Sequence, residues 1–235
     1  MTAAKRDKDG DSAALWRSVH ARLKPLDVTL GRASSNAYLA DPKMIGFMAA
    51  RYKFAAKMLA GRARVLEIGC GDGFGAPFVA QAVGRLLCTD IVRGTLRDAA
   101  KRLKPLANLS FDFHDFRARP HATRFDGALC VDVLEHVFPA EEAAFLGNVA
   151  ASLTPDGVLV LGTPNRTAEA YASEFSKLGH VNTKTQAELV ALMRKHFRTV
   201  FPFGMNDEVL HTGYAPMCHY LWALCVGPKP VRRRR

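Results

Sequence analysis

The sequence lacks the marks of a membrane-spanning or secreted protein. It contains no apolar run of about 18 residues, and its first residues, "MTAAKRDKDGD", include no apolar core of a signal peptide. Its five cysteines form no CxxC pair and mostly stand in apolar stretches. They therefore predict buried thiols rather than a disulfide framework or a zinc site. We expect a protein of the cytoplasm.

Two common phosphate-binding patterns are also missing from the glycine-rich stretch "VLEIGCGDGFGA", residues 65–76. The dinucleotide fingerprint GxGxxG fails because Phe74 stands at its third glycine, and no GK[ST] of a phosphate loop occurs. What is present, Gly69, Gly71 and Gly73, lets bare backbone approach a ligand. Asp90 follows Gly69 at the spacing at which a carboxylate can accept the hydroxyls of a ribose. The pattern indicates an adenosine-type ligand.

Length and composition indicate the domain organisation, whereas the net charge does not decide whether the protein binds an anionic partner. The chain has 235 residues, 49% of them hydrophobic, which suits a single folded domain and excludes wholesale disorder. We divide it into an N-terminal extension (1–40), a catalytic fold (41–228) and a basic tail (229–235). The net charge is +11, and the tail "KPVRRRR" carries part of it. A solvated basic surface and an anionic partner both fit this charge.

Strand and helix patterns alternate from residue 64 onward, which predicts an α/β fold with a mostly parallel sheet. The last two strand patterns, "TVFPFGM" and "MCHYLWALCVG", have no helix between them and predict an antiparallel hairpin. Ahead of the sheet, Asp41 is the expected N-cap of a helix that ends before Gly61. Thr185 and Glu188 have the spacing of a capping box.

Five ordered motifs between residues 64 and 165 resemble those of the class I S-adenosylmethionine (SAM)-dependent methyltransferases. "VLEIGCGDG" resembles motif I, and "LLCTDIV", "FDFHDF", "FDGALCVDVLEHV" and "LTPDGVLVLGTPN" resemble the four that follow. The resemblance implies a Rossmann-like, doubly wound, seven-stranded sheet with a terminal antiparallel hairpin and an N-terminal helical cap. It also implies SAM as the cofactor and S-adenosylhomocysteine (SAH) as its product.

The same resemblance assigns the cofactor residues. Asp90 is expected to bind the ribose, Asp115 to accept from the adenine amino group, and Phe116 to lie against the ring. Tyr38 and Arg51 are expected near the carboxylate of the methionine moiety. The full predicted set is Tyr38, Arg51, Glu67, Gly69, Cys70, Gly71, Asp90, Ile91, Asp115, Phe116 and Val131.

Two motifs that are missing from the sequence restrict the class of molecule that could accept the methyl group. After strand four there is no Asn/Asp-Pro-Pro-aromatic motif of amino-methylating DNA enzymes, and no Pro-Cys pair of pyrimidine C5 enzymes occurs. "DVLEHV" followed by "GTPN" resembles the ubiquinone-biosynthesis O-methyltransferase group and its small-molecule relatives. We expect methyl transfer to a hydroxyl of a small metabolite or glycan. The resemblance implies that the region before motif I and residues 164–184 form a substrate lid. An RNA-directed methyltransferase and a non-catalytic SAM-binding module remain the alternatives, and a nucleic-acid partner is the less favoured.

Two histidines are the catalytic candidates. His136 follows strand four, where the methyl group should lie, and His180 stands in the polar segment after strand five. An imidazole titrates near neutral pH and can act as a general base. Asp132, Glu135 and His136 also fall at i, i+3 and i+4, and with His180 they would suit a divalent cation. We favour the base over the cation, and the sequence leaves the metal ligands and the oligomeric state unknown.

Overall fold

The computed structural model describes residues 11–23 and 27–230, which fold around one mixed sheet. Its strands are β1 (Arg64–Ile68), β2 (Arg85–Asp90), β3 (Leu109–Phe113), β4 (Phe125–Val131), β5 (Leu153–Pro164), β6 (Phe197–Asn206), β7 (Val209–His211) and β8 (Tyr220–Pro228). Its helices are α1 (Ser12–His20), α2 (Arg32–Ala40), α3 (Lys43–Met58), α4 (Ala76–Ala80), α5 (Arg93–Arg102), α6 (Pro139–Ala151), α7 (Glu174–Gly179) and α8 (Gln186–His196). Short 3₁₀ helices cover Leu134–His136, Arg166–Tyr171 and Ala215–Met217. The tail residues 231–235 lie outside the described residues.

The sheet order is β3-β2-β1-β4-β5-β8-β6-β7. The first five strands are parallel, and β8 pairs antiparallel with both β5 and β6. The expectation of a mostly parallel, Rossmann-like sheet with a C-terminal antiparallel hairpin is confirmed. Because the parallel strands share one direction, the loops that follow β1, β2, β3 and β4 meet at one edge of the sheet.

The number of strands differs from the expected seven. The eighth strand is β7, which folds back on the end of β6 and pairs Gly204 with His211. The chain reverses at Asp207, whose φ of 50° lies in the left-handed region that aspartate tolerates better than most residues. Three residues of strand are too few to show the alternation on which a sequence-based assignment depends.

Both faces of the sheet are buried by helices. Leu66 of β1 points into a cluster with Phe145 of α6 and Leu189 of α8. Its neighbour Val65 points into the opposite cluster with Phe54 of α3. This alternation along one strand, with apolar side chains on both sides, is the pattern of a parallel sheet covered by helices on its two faces. The cysteines are confirmed as buried free thiols.

The N-terminal region differs from expectation in its helix boundaries. The helix α2 carries no recognisable start in the sequence, because Gly31 at its N-cap has no side chain. Asp41 ends α2 rather than beginning α3, and Pro42 is the N-cap of α3. The expected end of α3 is confirmed, since Gly61 follows it with a φ of 77°. The capping box of α8 is also confirmed at Thr185.

Within the described part of the chain, no helix combines the length and apolarity needed to cross a bilayer.

Candidate functional site

A cavity of about 290 Å³ lies at the edge of the sheet where β1, β2, β3 and β4 end. Seven of the predicted site residues line it: Gly69, Gly71, Asp90, Ile91, Asp115, Phe116 and His136. Ligands of open parallel sheets bind at this edge. The structure therefore brings together the residues assigned to the glycine loop, the ribose, the adenine and the base.

The glycine loop has the backbone shape that only glycine adopts without cost. Gly69 and Gly71 have φ values of 71° and 52°. A Cβ at Gly69 would also collide with the side chain of Val133, which lines the cavity from the loop after β4. The loop therefore presents backbone rather than side chains to whatever occupies the cavity.

Asp90 is held in place before any ligand arrives. Its Oδ2 accepts a hydrogen bond from the backbone N–H of Gly71 (2.9 Å), and its Oδ1 accepts one from Val92 (2.9 Å). A carboxylate has about four acceptor positions, so two remain for a ligand. The side chain at the end of β2 is thus fixed by the glycine loop and free to accept two further hydroxyls.

The opposite end of the cavity carries Asp115, Phe116 and two residues that the sequence did not single out. Arg117 makes a bidentate pair with Asp115, with Nε to Oδ1 at 3.0 Å and Nη2 to Oδ2 at 2.9 Å. Hydrogen bonding to Arg117 lowers the pKa of Asp115, so this carboxyl is ionised and acts as an acceptor. The ring of His114 packs against Phe116 with centroids 4.4 Å apart. This end has the flat apolar wall and acceptor that an adenine requires.

His136 stands in the cavity wall after β4 with one ring nitrogen already engaged. Its Nδ1 lies 2.9 Å from the carbonyl oxygen of Gly179, which can only accept. In the neutral ring the proton therefore resides on Nδ1, and Nε2 carries the lone pair. The ring of His180 packs against His136 with centroids 5.2 Å apart. Burial, and then the neighbouring His136, lower the pKa of His180, which favours its neutral form.

Asp132 has a strained backbone and a fixed ion pair beside His136. Its φ is 56°, in the left-handed region. Nη1 of Arg51 lies 3.0 and 2.8 Å from its two carboxylate oxygens. The guanidinium of Arg51 also lies 4.0 Å from the ring centroid of Tyr220. Strain of this kind costs about 1–3 kcal/mol and is found mainly where function requires it.

Glu135 is a buried carboxyl directly behind the cavity wall. Its Oε2 accepts from the hydroxyl of Thr163 (3.0 Å), and its Oε1 has no hydrogen-bond partner among the described residues. Burial, and then the charge of Asp132, raise the pKa of Glu135 to about 8. Its backbone oxygen accepts from the N–H groups of Val181 and Asn182, which fastens the predicted lid to the wall.

The predicted cation group is only partly assembled. Donor atoms of Glu135, His136 and His180 all lie within 4.8 Å of one another. Asp132 was expected to join them, but both its oxygens are engaged by Arg51. A carboxylate and two imidazoles fit a divalent transition metal, which would polarise an acceptor hydroxyl. These three residues would hold it, with Asp132 outside the set.

The remaining predicted residues lie away from the cavity wall. Glu67 and Cys70 are buried behind the glycine loop, and Val131 is buried in the core at the end of β4. Tyr38 is half exposed on α2, and Arg51 faces Asp132 rather than open space. Their roles toward a cofactor stay predictions. The sequence missed seven wall residues, namely Ile68, His114, Arg117, Asp132, Val133, Val137 and Phe145, as cofactor contacts.

A mostly parallel, doubly wound sheet with a cavity at the carboxyl ends of its strands is the architecture of the Rossmann-like proteins. The comparisons with known proteins give the family. A family model described as "Methyltransferase domain" matches residues 66–159. The ubiquinone biosynthesis O-methyltransferase of Actinobacillus pleuropneumoniae serotype 7 is 29% identical over 173 residues, which cover 70% of this chain and 66% of that protein.

Further comparisons agree with this result. The ubiquinone biosynthesis O-methyltransferase of Xanthomonas campestris pv. campestris is 31% identical over 171 residues, covering 71% of this chain and 63% of that protein. The N-methyltransferase NodS of Bradyrhizobium japonicum, solved with SAH, superposes with a TM-score of 0.59 at 21% identity, covering 76% of this chain and 86% of that one. The chain spans about two thirds of the length of these curated relatives. It belongs to the class I SAM-dependent methyltransferases.

Proposed function

We propose that the protein transfers the methyl group of SAM to a hydroxyl oxygen of a small metabolite or glycan, with His136 as the general base. The observation that carries the proposal is the hydrogen bond from Nδ1 of His136 to Gly179, which leaves Nε2 as a lone-pair acceptor in the cavity wall. The names of the curated relatives support an oxygen acceptor.

Binding of the cofactor follows from the two ends of the cavity. Asp90 supplies two free acceptor positions for the ribose hydroxyls, and Asp115 with Phe116 supplies an acceptor and an apolar wall for the adenine. Gly69, Asp132 and His136 line the same cavity and would face the methionine part of SAM, which would supply the methyl group.

The chemical step then needs an in-line oxygen nucleophile. His136 takes the proton of the acceptor hydroxyl as the oxygen attacks the methyl carbon, and the C–S bond electrons return to sulfur to give SAH. The carbonyl of Gly179 holds the ring in the required tautomer and stabilises the imidazolium that forms. His180, neutral beside it, does not oppose that charge.

The test measures SAH release against a panel of hydroxylated small molecules and glycans, with and without chelator. We expect the wild-type protein to bind SAH in calorimetry and to turn over a hydroxyl acceptor. His136→Ala should lower kcat by about 10²–10⁴ with SAH affinity preserved. The matched control is His196→Ala, because His196 is the last residue of α8 and does not line the cavity.

Each alternative gives a different result in the same assay. Loss of activity in chelator, regained with added metal, would replace the base with a cation held by Glu135, His136 and His180. Turnover of RNA but of no small molecule would favour the RNA-directed reading. Near-normal turnover by His136→Ala refutes its catalytic role, and absence of SAH binding by the wild type refutes the whole proposal.

A further inference from the structure

The start of helix α2 is capped by a residue from the glycine loop. Oδ2 of Asp72 accepts from the backbone N–H of Ser34 (2.8 Å), and its Oδ1 accepts from the hydroxyl of the same serine (2.9 Å). The side chains of Ser34 and Asp72 are buried, at 0% and 6% exposure. Helix N-termini carry unsatisfied N–H groups and a partial positive charge, and a carboxylate satisfies both.

Gly31, the N-cap of α2, makes room for this carboxylate. It offers no side-chain cap of its own, and a Cβ at this position would overlap Cβ and the carboxylate of Asp72. Its φ of −72° is open to any residue, so backbone conformation does not require glycine here. Glycine is required at this position because of the space that the side chain of Asp72 occupies.

Arg102 of α5 ties the same two segments together a second time. Its guanidinium donates to the backbone oxygen of Asp72 and, at 3.4 Å, to that of Thr29. Elsewhere residues 27–40 have little burial of their own, since Gly31 and Ser34 are the buried positions among them. The attachment of this segment to the fold is therefore concentrated at Asp72.

The position of Asp72 in the loop connects this attachment to the ribose acceptor. The residue before it, Gly71, donates its backbone N–H to Oδ2 of Asp90. Any shift of Asp72 displaces the adjacent peptide and with it this hydrogen bond. One residue thus joins the N-terminal segment to the carboxylate at the end of β2.

We propose that residues 27–40 are part of the cofactor site, and that Asp72 is a positioning residue which, by capping α2, fixes the glycine loop and Asp90 for the cofactor's ribose. The inference rests on the proposed binding of SAM. It adds a second part of the chain to the site and gives the N-terminal segment a role in cofactor affinity.

Calorimetry with SAH and with 2′-deoxy-SAH on the full chain tests this. Gly31→Ser is the sharpest variant, because serine is a better N-cap than glycine and local helix chemistry predicts no loss. We expect SAH affinity to fall about tenfold, the equivalent of one strong hydrogen bond to a charged group. Asp72→Ala should give a similar loss, and Ser34→Ala a smaller one because its backbone N–H remains.

The control is Ser110→Ala in β3, outside the proposed site, whose hydroxyl only reaches the backbone oxygen of Leu86 at 3.5 Å, and it should bind SAH within about twofold of the wild type. Because the effect acts through the ribose, the loss in Gly31→Ser should be smaller for 2′-deoxy-SAH than for SAH. Equal losses for both ligands, or wild-type affinity in Gly31→Ser, would overturn the inference. If Asp72→Ala fails to fold, the SAH affinity of Ser34→Ala takes its place, and an affinity equal to that of the wild type would then contradict the inference. Failure of the proposed function differs, since the wild type itself would not bind SAH.

Discussion

The buried carboxyl of Glu67 should make the folded protein lose stability as pH rises through the neutral range. Glu67 lies in β1 behind the glycine loop with 1% of its surface exposed. Its Oε2 accepts from the thiol of Cys88 (3.1 Å), while its Oε1 has no hydrogen-bond partner within the described ranges. Burial raises the pKa of Glu67 from 4.5 to about 7, against a lowering by the hydrogen bond from Cys88.

The direction in which pH changes the free energy of unfolding depends on whether the folded or the unfolded chain holds the proton of Glu67. Between pH 4.5 and about 7 the folded chain keeps Glu67 protonated while the unfolded chain does not. Folding therefore takes up a proton in this interval, and raising the pH favours the unfolded state. Each pH unit changes the free energy of unfolding by about 1.4 kcal/mol, so the full loss from this group is about 3 kcal/mol. The contribution is complete below pH 4.5 and gone above about 7.

Urea unfolding at pH 5 and pH 8 measures this loss. Glu67→Gln keeps the shape and the neutral form, so it should lose about 3 kcal/mol less than the wild type between the two pH values. The control is Glu174→Gln, whose side chain is 90% exposed, and it should follow the wild type. If Glu67→Gln shows the same pH dependence as the wild type, the carboxyl is ionised in the folded protein and the reasoning fails.

Three further predictions concern the site and the tail. Asp90→Ala should weaken SAH binding in calorimetry by about 1.5–3 kcal/mol, because it removes charged hydrogen bonds to the ribose, whereas the exposed Asp156→Ala should not; equal affinities would contradict the ribose role. Arg51→Met should lower the free energy of unfolding by about 2 kcal/mol, because it leaves Asp132 unpaired in a half-buried position, and the double variant with Asp132→Asn should regain part of the loss; strictly additive losses would show that the pair is not coupled. Deletion of residues 231–235 should leave turnover of a small acceptor unchanged, and a flatter salt dependence of substrate binding after deletion would instead place the tail in an anionic interaction.

The parallel sheet and the glycine loop could be predicted because their signals are local and periodic. Asp90 and Asp115 were found at the cavity because Asp90 ends β2 and Asp115 stands just after β3, and the ends of parallel strands meet at one edge. Arg117 could not be predicted in this way, because nothing in the sequence distinguishes an arginine in a loop until the structure shows which carboxylate it pairs with.

The helix boundaries and the N-terminal attachment could not be predicted for a related reason. The cap of α2 comes from Asp72, which is 38 residues away from Ser34. A pattern within the helix and its flanking residues therefore could not predict it. The pairing of Arg51 with Asp132 spans 81 residues, and it removed one expected member of the cation group. Sequence spacing put Asp132 near Glu135 and His136 but could not show that Arg51, from another helix, pairs with it.

Because α2 is capped by a residue that follows it in the sequence, the helix cannot be completed until that residue has been synthesised. Residues 27–40 leave the ribosome before Asp72 and Arg102, which supply the carboxylate and the guanidinium that hold them. At about 5–20 residues per second, the chain needs about 3–12 s to make the residues between Ala40 and Arg102. A nine-residue segment with no cap of its own is too short to stay helical over that time. Helix α2 therefore takes its final shape only after Asp72 and Arg102 have been made.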